Sequence, residues 1–336
     1  MNMKELTANL GTQERFPLRI WELVFYVIIS AFGITGNSIV LAVLRRKREM
    51  RCSAFGVYLS TLAIVDILVC VLCLPVYVTS TEAFKSHPTG QAGDIVCKFW
   101  TNYFVLFYFA VISVFTLVAI SVERYLAICK PMKARIKSTP KRARRIVICI
   151  LILSLLPNFA LIVGLRYAEP GENSFGAHCT AVKFANDAVW KVFYVIVLLT
   201  QYVIPITLMI VCFIKIKRTL RRYALDALAS NKIGLNSLQS GHLLLLRTRA
   251  RTTRTVVIMI LAYFLCWSLN QVLYFMLNIG YGVAWNGDLM QISVVLCFFS
   301  SCINPVIYVS RSKQFREEFK KLLCHSSNKR NISTIT

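Results

Sequence analysis

Residues 99–131 read FWTNYFVLFYFAVISVFTLVAISVERYLAICKP, and the way that stretch ends decides how the rest of the chain is read. From Phe99 to Ile120 no charge interrupts the run, and a helix needs about 20 such residues to cross a hydrocarbon core. Glu123-Arg124-Tyr125 then places an acid, a guanidinium and a phenol at the edge of the run, where polar groups are costly unless used. A second string, Asn304-Pro305-Val306-Ile307-Tyr308, puts a carboxamide and a helix-perturbing proline near the end of another apolar run. Neither string identifies a protein alone; their placement does.

Working outward, the 336 residues are 57% hydrophobic and 16% charged, with a mean hydropathy of +0.60. That is too apolar for soluble domains of this length. Seven stretches are long enough to span: Leu23–Leu44, Ala54–Val78, Phe99–Ile120, Ile146–Leu165, Val192–Ile214, Val256–Gly280 and Leu289–Val309. A backbone in lipid must satisfy its own hydrogen bonds, so these are helices; barrel strands would be roughly half as long and would alternate. The expected fold is an all-α, seven-transmembrane helix bundle. A short amphipathic eighth helix is expected over Lys313–Leu323, where Phe315, Phe319, Leu322 and Leu323 recur at helical spacing. The organisation read from this is an outer head (1–21), a transmembrane domain (22–310) and a cytosolic helix and tail (311–336). The first span is too long for a signal-peptide core and follows a polar head, so it is expected to stay.

Charge orients the bundle. Arg45, Arg46, Lys47, Arg48 and Arg51 follow span one; Lys130, Lys133, Arg135, Lys137, Lys141, Arg142, Arg144 and Arg145 follow span three. The loop after span five and the tail are also basic, whereas the alternate loops are nearly neutral. The positive-inside rule puts the N-terminus outside and the tail in the cytosol. The net charge of +24 therefore faces anionic lipid and a cytosolic partner, not nucleic acid.

Of twelve cysteines, only Cys97 and Cys179 fall outside, where an oxidising exterior favours pairing; two free thiols is the other reading. Cys324, after the amphipathic stretch, suits reversible palmitoylation or is an unmodified thiol. The sole glycosylation sequon, Asn331-Ile332-Ser333, lies on the cytosolic side.

Asp66 is the only acid inside the seven stretches. An intramembrane carboxylate needs interior partners, and Asn37, Ser113 and Asn304 are the candidates, either as a structural knot or as a cation and water site. Arg124 can hold a local carboxylate in one state and partner carbonyls in another, or simply snorkel to the interface. Pro305 frees backbone groups that Asn304 is expected to satisfy, and Tyr308, one turn on, can swing between lipid and interior. Pro205 and Pro75 are expected to bend spans five and two. Trp267, after Cys266, is either a packing residue or the floor of a ligand cavity, and its position relative to Pro205 and Asn304 favours the floor.

These residues together resemble the rhodopsin-like (class A) G-protein-coupled receptors: Gly36-Asn37, Leu62-Ala63-x-x-Asp66, Cys97, Glu123-Arg124-Tyr125, Cys179, Pro205, Cys266-Trp267 and Asn304-Pro305-x-x-Tyr308. The resemblance covers residues 22 to 324. It implies a ligand cavity opening outside, with Trp267, Phe104, Gln271 and Tyr274 as candidate lining. It implies a Cys97–Cys179 bridge, a sodium site at Asp66 as the one small allosteric ligand, and no other cofactor or enzymatic activity. At the cytosolic face it implies a heterotrimeric G protein engaged by Arg124 when span six swings out, with arrestin as a further partner and membrane lipids around the basic loops.

The chain also departs from the pattern. The Cys97-to-Arg124 spacing is about two residues longer than the family's usual spacing, which leaves the ligand-facing positions of span three unassigned. Span four lacks a tryptophan near Val147–Cys149, Leu269 replaces a proline after Trp267, and Phe213 replaces a tyrosine eight residues after Pro205. No acid lies between Asp226 and Asp288, so span six offers Arg124 no salt bridge. Phe104–Phe109 has no aspartate for an amine ligand, and Leu289–Val309 no lysine for a Schiff base. The short head, the outer loop Arg166–Lys191 and aromatic outer ends look most like neuropeptide receptors of the galanin, somatostatin or neuropeptide Y kind; a lipid or other small molecule is the alternative ligand. A membrane enzyme is disfavoured because His87, His178, His242 and His325 all lie outside the spans. A transporter is disfavoured because no repeated halves are visible. A channel is set aside only by the motif set.

Overall fold

A computed structural model describes residues 18–81, 88–168, 179–182, 187–231, 238–284, 287–311, 315–319 and 321. Seven helices among these are long and apolar enough to cross a membrane: Ile20–Arg46, Ala54–Ser80, Gly90–Cys129, Pro140–Gly164, Ala188–Leu225, Thr253–Asn278 and Asp288–Arg311. They overlap all seven expected stretches and overrun most of them. The longest overruns are cytosolic, where the fifth and sixth spans belong to helices Ile204–Asn231 and Leu238–Asn278. Inner ends start on conventional caps: Ser53 Oγ accepts from Gly56 N at 3.0 Å, and Thr139 Oγ1 from Arg142 N at 3.3 Å with Pro140 in the first turn. The core divides into an inner-half cluster around Tyr58, Leu117, Met259 and Tyr308 and an outer-half cluster around Tyr26, Leu106 and Phe298. Apolar side chains left exposed, such as Ile152, Leu265 and Val306, stand on the lipid side, where exposure carries no hydrophobic penalty.

Departures from regular helix position the site. Span three opens with a short helix, Gly90–Val96, then one wide π turn over Cys97–Thr101. Tyr103 sits at φ 56°, in the left-handed region, before the regular helix Phe104–Cys129. Such a conformation costs a non-glycine residue about 1–2 kcal/mol; burial of the Tyr103 ring in the outer cluster holds it. A wide turn and a kink take up extra residues without advancing the helix, which accounts for the long Cys97-to-Arg124 spacing.

Span five has its own wide turn, Leu199–Val203, just before Pro205. Pro205 has no N–H for the carbonyl four residues back, Gln201, and the Tyr263 hydroxyl donates to that carbonyl at 3.0 Å. Pro305 leaves the Ser301 carbonyl without its helical donor in the same way. Here the expectation is corrected: Asn304 does not fill the gap. Asn37 Nδ2 does, donating to Ser301 O at 3.0 Å and to its own helix at Gly33 O, also 3.0 Å. Spans one and seven can meet this closely because residue 36 is glycine; a Cβ there would lie 2.9 Å from Pro305 Cβ and Cγ.

Span four breaks into a helix to Leu153 and a tight turn, Leu156–Asn158, in which Asn158 Nδ2 donates to Ser154 O at 2.8 Å. Span six runs unbroken through Leu269. Outside the membrane, β1 (Leu165–Tyr167) pairs antiparallel with β2 (Cys179–Ala181). The Cys97–Cys179 disulfide, with Cα atoms 5.7 Å apart, ties that hairpin to the wide turn of span three.

Candidate functional site

At mid-membrane Asp66, 1% exposed, accepts from Ser113 Oγ on Oδ1 at 2.9 Å and from Asn304 Nδ2 on Oδ2 at 2.8 Å. Asn37, expected as a third partner, is spent on the Ser301 carbonyl instead, and Ser301, which the sequence reading missed, faces the carboxylate. The small chamber of about 20 Å³ around Asp66 is lined also by Trp267, Tyr263 and Ser300. One carboxylate with the hydroxyl oxygens of Ser113, Ser300 and Ser301 is a donor set suited to a hard, singly charged cation. Trp267 belongs to this chamber. Its indole N–H donates to Ser300 Oγ at 3.3 Å and its ring lies 5.5 Å from that of Tyr263. It does not line the outer cleft, so the expected floor is a wall of the Asp66 chamber.

At the cytosolic edge Glu123 is buried and doubly engaged. Arg124 meets Oε2 from Nε at 2.6 Å and from Nη2 at 2.5 Å, and Ser138 Oγ donates to Oε1 at 2.9 Å. The guanidinium also lies 4.1 Å over the Phe55 ring. A paired, charge-assisted contact with an aromatic floor holds Arg124 sideways, so its local partner is the neighbouring acid. Tyr125 stands between Lys130 at 5.8 Å and Lys215 at 5.6 Å. Tyr308 is buried with its ring 6.0 Å from Phe315, and its hydroxyl has no hydrogen-bond partner among the described residues. Residues 315–319 are helical, and Glu318 reaches Lys47 at 3.7 Å and Lys321 at 3.1 Å, which seats the segment on the first inner loop. That bond to Lys321 draws the Glu318 carboxyl below its ordinary value. Cys324 lies outside the described residues.

On the outer side Phe107, Asn158, Gln201, Asn270, Gln271 and Tyr274 line a narrow cleft of about 20 Å³ between spans three, four, five and six. Gln271 and Tyr274 are where the sequence placed them. Phe104 is not: it packs 5.3 Å from Phe99 and 5.9 Å from Tyr108, because the wide turn and the Tyr103 kink rotate the helix and leave Phe107 facing the cleft. Asn158, Gln201 and Asn270 went unnoticed. The available signal was that each is a carboxamide within or beside a span.

Glu22 was also missed, because span one starts at Ile20 and not Leu23. It is 3% exposed and pairs with Arg19 at 3.3 Å; Arg19 also meets Asp288 at 2.7 Å. The Tyr77 hydroxyl accepts from Arg19 N and donates to Arg19 O, both at 3.1 Å. This seam fastens the outer ends of spans one, two and seven. Among the described residues there is no cluster of three or more histidine, cysteine or acidic side chains able to hold a metal.

The chain matches the family profile "7 transmembrane receptor (rhodopsin family)" over residues 36–308. It is 29% identical to neuromedin-U receptor 2 of Rattus norvegicus over 338 residues, covering 95% of this chain and 79% of that one. It is 28% identical to the allatostatin-A receptor of Bombyx mori over 308 residues, covering 89% and 78%. It is 28% identical to somatostatin receptor type 4 of Rattus norvegicus over 301 residues, covering 89% and 71%.

Proposed function

The chain belongs to the rhodopsin family of seven-transmembrane receptors, and from that premise we propose that its extracellular ligand is a peptide received in the cleft between spans three and six. The protein is a multi-pass plasma-membrane receptor that binds an outside ligand and acts through a heterotrimeric G protein; it is not an enzyme. Similarity to receptors named for neuromedin U, allatostatin A and somatostatin supports the peptide reading.

The observation that carries the mechanism is a polar seam through the apolar bundle. It comprises Gln271 and Asn270 in the cleft, the Asp66 chamber walled by Trp267, and Tyr308 and Arg124 at the inner end, with no continuous hydrogen-bond chain joining them among the described residues. Gln271 lies one turn from Trp267 on the same helix, so a ligand pressing on Gln271 bears on the wall of the chamber. Asp66, Ser113 and Asn304 then set the relation of spans two, three and seven, and Arg124 leaves Glu123 when a G protein offers carbonyls to its guanidinium. The ligand shifts this equilibrium only by binding the released arrangement more tightly. A sodium ion held by Asp66 and Ser113 would supply a counter-charge that favours the unreleased arrangement. Arrestin at the same inner face, and anionic lipids at the basic loops, complete the proposed partners.

A screen of a peptide library on cells with a promiscuous G-protein readout tests this. An active peptide should lose signalling but keep binding in Arg124→Ala; loss of both would place Arg124 in the fold and refute the switch. A second reading, a lipid ligand, is favoured by one feature: an apolar groove of about 560 Å³ on spans three, four and five, lined by Phe115, Pro157, Ile196 and Leu208. Activation by lipid extracts but no peptide would select it.

A further inference from the structure

The deep cleft has an unmet hydrogen-bond demand that specifies what it takes. Asn158 is fully buried. Its Nδ2 faces the Ser154 carbonyl at 2.8 Å; a carbonyl only accepts, so the NH₂ is the group turned to it and Oδ1 is the group left over. Oδ1 is buried and has no hydrogen-bond partner among the described residues, an arrangement that native interiors rarely leave standing. Asn158 lines the cleft together with three more carboxamides, Gln201, Asn270 and Gln271. Two of these are committed elsewhere on the donor side: Gln201 Nε2 to Pro157 O at 3.2 Å and Asn270 Nδ2 to Ser293 Oγ at 3.1 Å. Gln271, 3% exposed, makes no hydrogen bond among the described residues. Phe107 and Tyr274 supply apolar walls, and none of the described lining residues is charged.

We infer that this cleft receives a neutral primary carboxamide, the group that ends an amidated peptide. The inference rests on the peptide reading above and narrows it. An NH₂ on the ligand answers Asn158 Oδ1, and the ligand's carbonyl answers the amide of Gln271, so donor and acceptor are both matched. A terminal carboxylate brings acceptors only; it opposes the Asn158 lone pair and buries a charge with no cation to meet it. An ammonium offers donors but no counter-charge awaits it, and desolvating it is costly for that reason. Of the acids described near the outer ends, Glu22 and Asp288 are tied to Arg19 on the opposite side of the bundle and Asp94 to Lys98, and none of the three lines this cleft.

The test uses the full-length receptor in cells with a promiscuous G-protein readout and one peptide library made twice, with identical sequences ending in carboxamide or in free carboxylate. The expected result is that amide pools activate with at least about tenfold greater potency than their acid twins. In Asn158→Leu and Gln271→Met, matched for surface expression, the ratio should fall about three- to tenfold, the worth of one hydrogen bond. If Asn158→Leu does not reach the surface, Gln271→Met decides, since that side chain holds nothing else in place. Acid pools as potent as amide pools, or a ratio unchanged in the variants, would overturn the carboxamide assignment while leaving the peptide reading intact. Silence of both halves would overturn the peptide reading and this inference together.

Discussion

Asn37→Ala removes the donor that serves the carbonyl orphaned by Pro305, and its effect is worked out from the geometry. Ser301 O sits in a buried turn, takes Asn37 Nδ2 at 3.0 Å, and has no proton from residue 305. An unsatisfied buried acceptor costs about 1–3 kcal/mol in soluble proteins, while interhelical hydrogen bonds in membranes average about 0.6 kcal/mol and reach about 1.7. Among the described residues Asn37 is the side chain that donates to this carbonyl. The upper part of the membrane range, about 1.5 kcal/mol, is therefore expected, a fall in Tm of about 3–6 °C for a chain of this class. Thermal unfolding followed with a thiol-reactive dye suits this protein, since Cys70, Cys73, Cys266, Cys297 and Cys302 are buried free thiols. Scans are compared at one heating rate because such unfolding is under kinetic control. The decisive step is the cycle with Pro305→Ala. Alanine restores an N–H to position 305, which can close the helical bond to Ser301 O, so Asn37→Ala should then cost only the volume it deletes. The two single losses should be non-additive by about 1 kcal/mol. Equal losses in both backgrounds would refute the reasoning and reduce Asn37 to a packing residue.

Three further outcomes are expected. Phe213→Tyr should raise agonist-stimulated signalling, because the family resemblance implies that a tyrosine hydroxyl at this position meets Tyr308 in the active arrangement; one such bond shifts the equilibrium about fivefold, and an unchanged maximal response would count against it. Asp66→Asn should abolish the dependence of agonist potency on sodium concentration, measured against a potassium-matched series, and a surviving dependence would move the ion elsewhere. Glu123→Gln weakens a charge-assisted pair and should raise basal nucleotide exchange by up to about tenfold. Ser138→Ala, which removes only the bond to Oε1, should raise it less; the reverse order would show that the loop and not Arg124 is the restraint.

Much of this molecule was open to the sequence alone. Run length and the exclusion of bare backbone from lipid gave seven helices, and the distribution of lysine and arginine gave their orientation. Asp66 with Ser113 and Asn304, and Arg124 beside Glu123, were found where the motifs placed them, because one acid inside a span and one guanidinium at its edge leave few choices of partner. The register of span three was not legible: Phe107, not Phe104, faces the cleft, and nothing in residues 97–104 announces a π turn followed by a left-handed tyrosine. Glu22 escaped for a related reason, since a helix start within a polar stretch has no sharp apolar boundary.

The two proline sites divide the local from the tertiary most plainly. Glu123-Arg124-Tyr125 and Asn304-Pro305-x-x-Tyr308 are local strings, and helix geometry alone states which carbonyl each proline orphans: Gln201 for Pro205, Ser301 for Pro305. What answers those carbonyls is not local. The Tyr263 hydroxyl comes from 62 residues away and the Asn37 carboxamide from 264, each delivered by a neighbouring helix whose approach depends on packing, as the missing Cβ of Gly36 shows. A helix satisfies its own backbone by a rule that the sequence contains. Where proline breaks the rule, the donor is whichever side chain the folded bundle brings within 3 Å, and only the tertiary structure decides that.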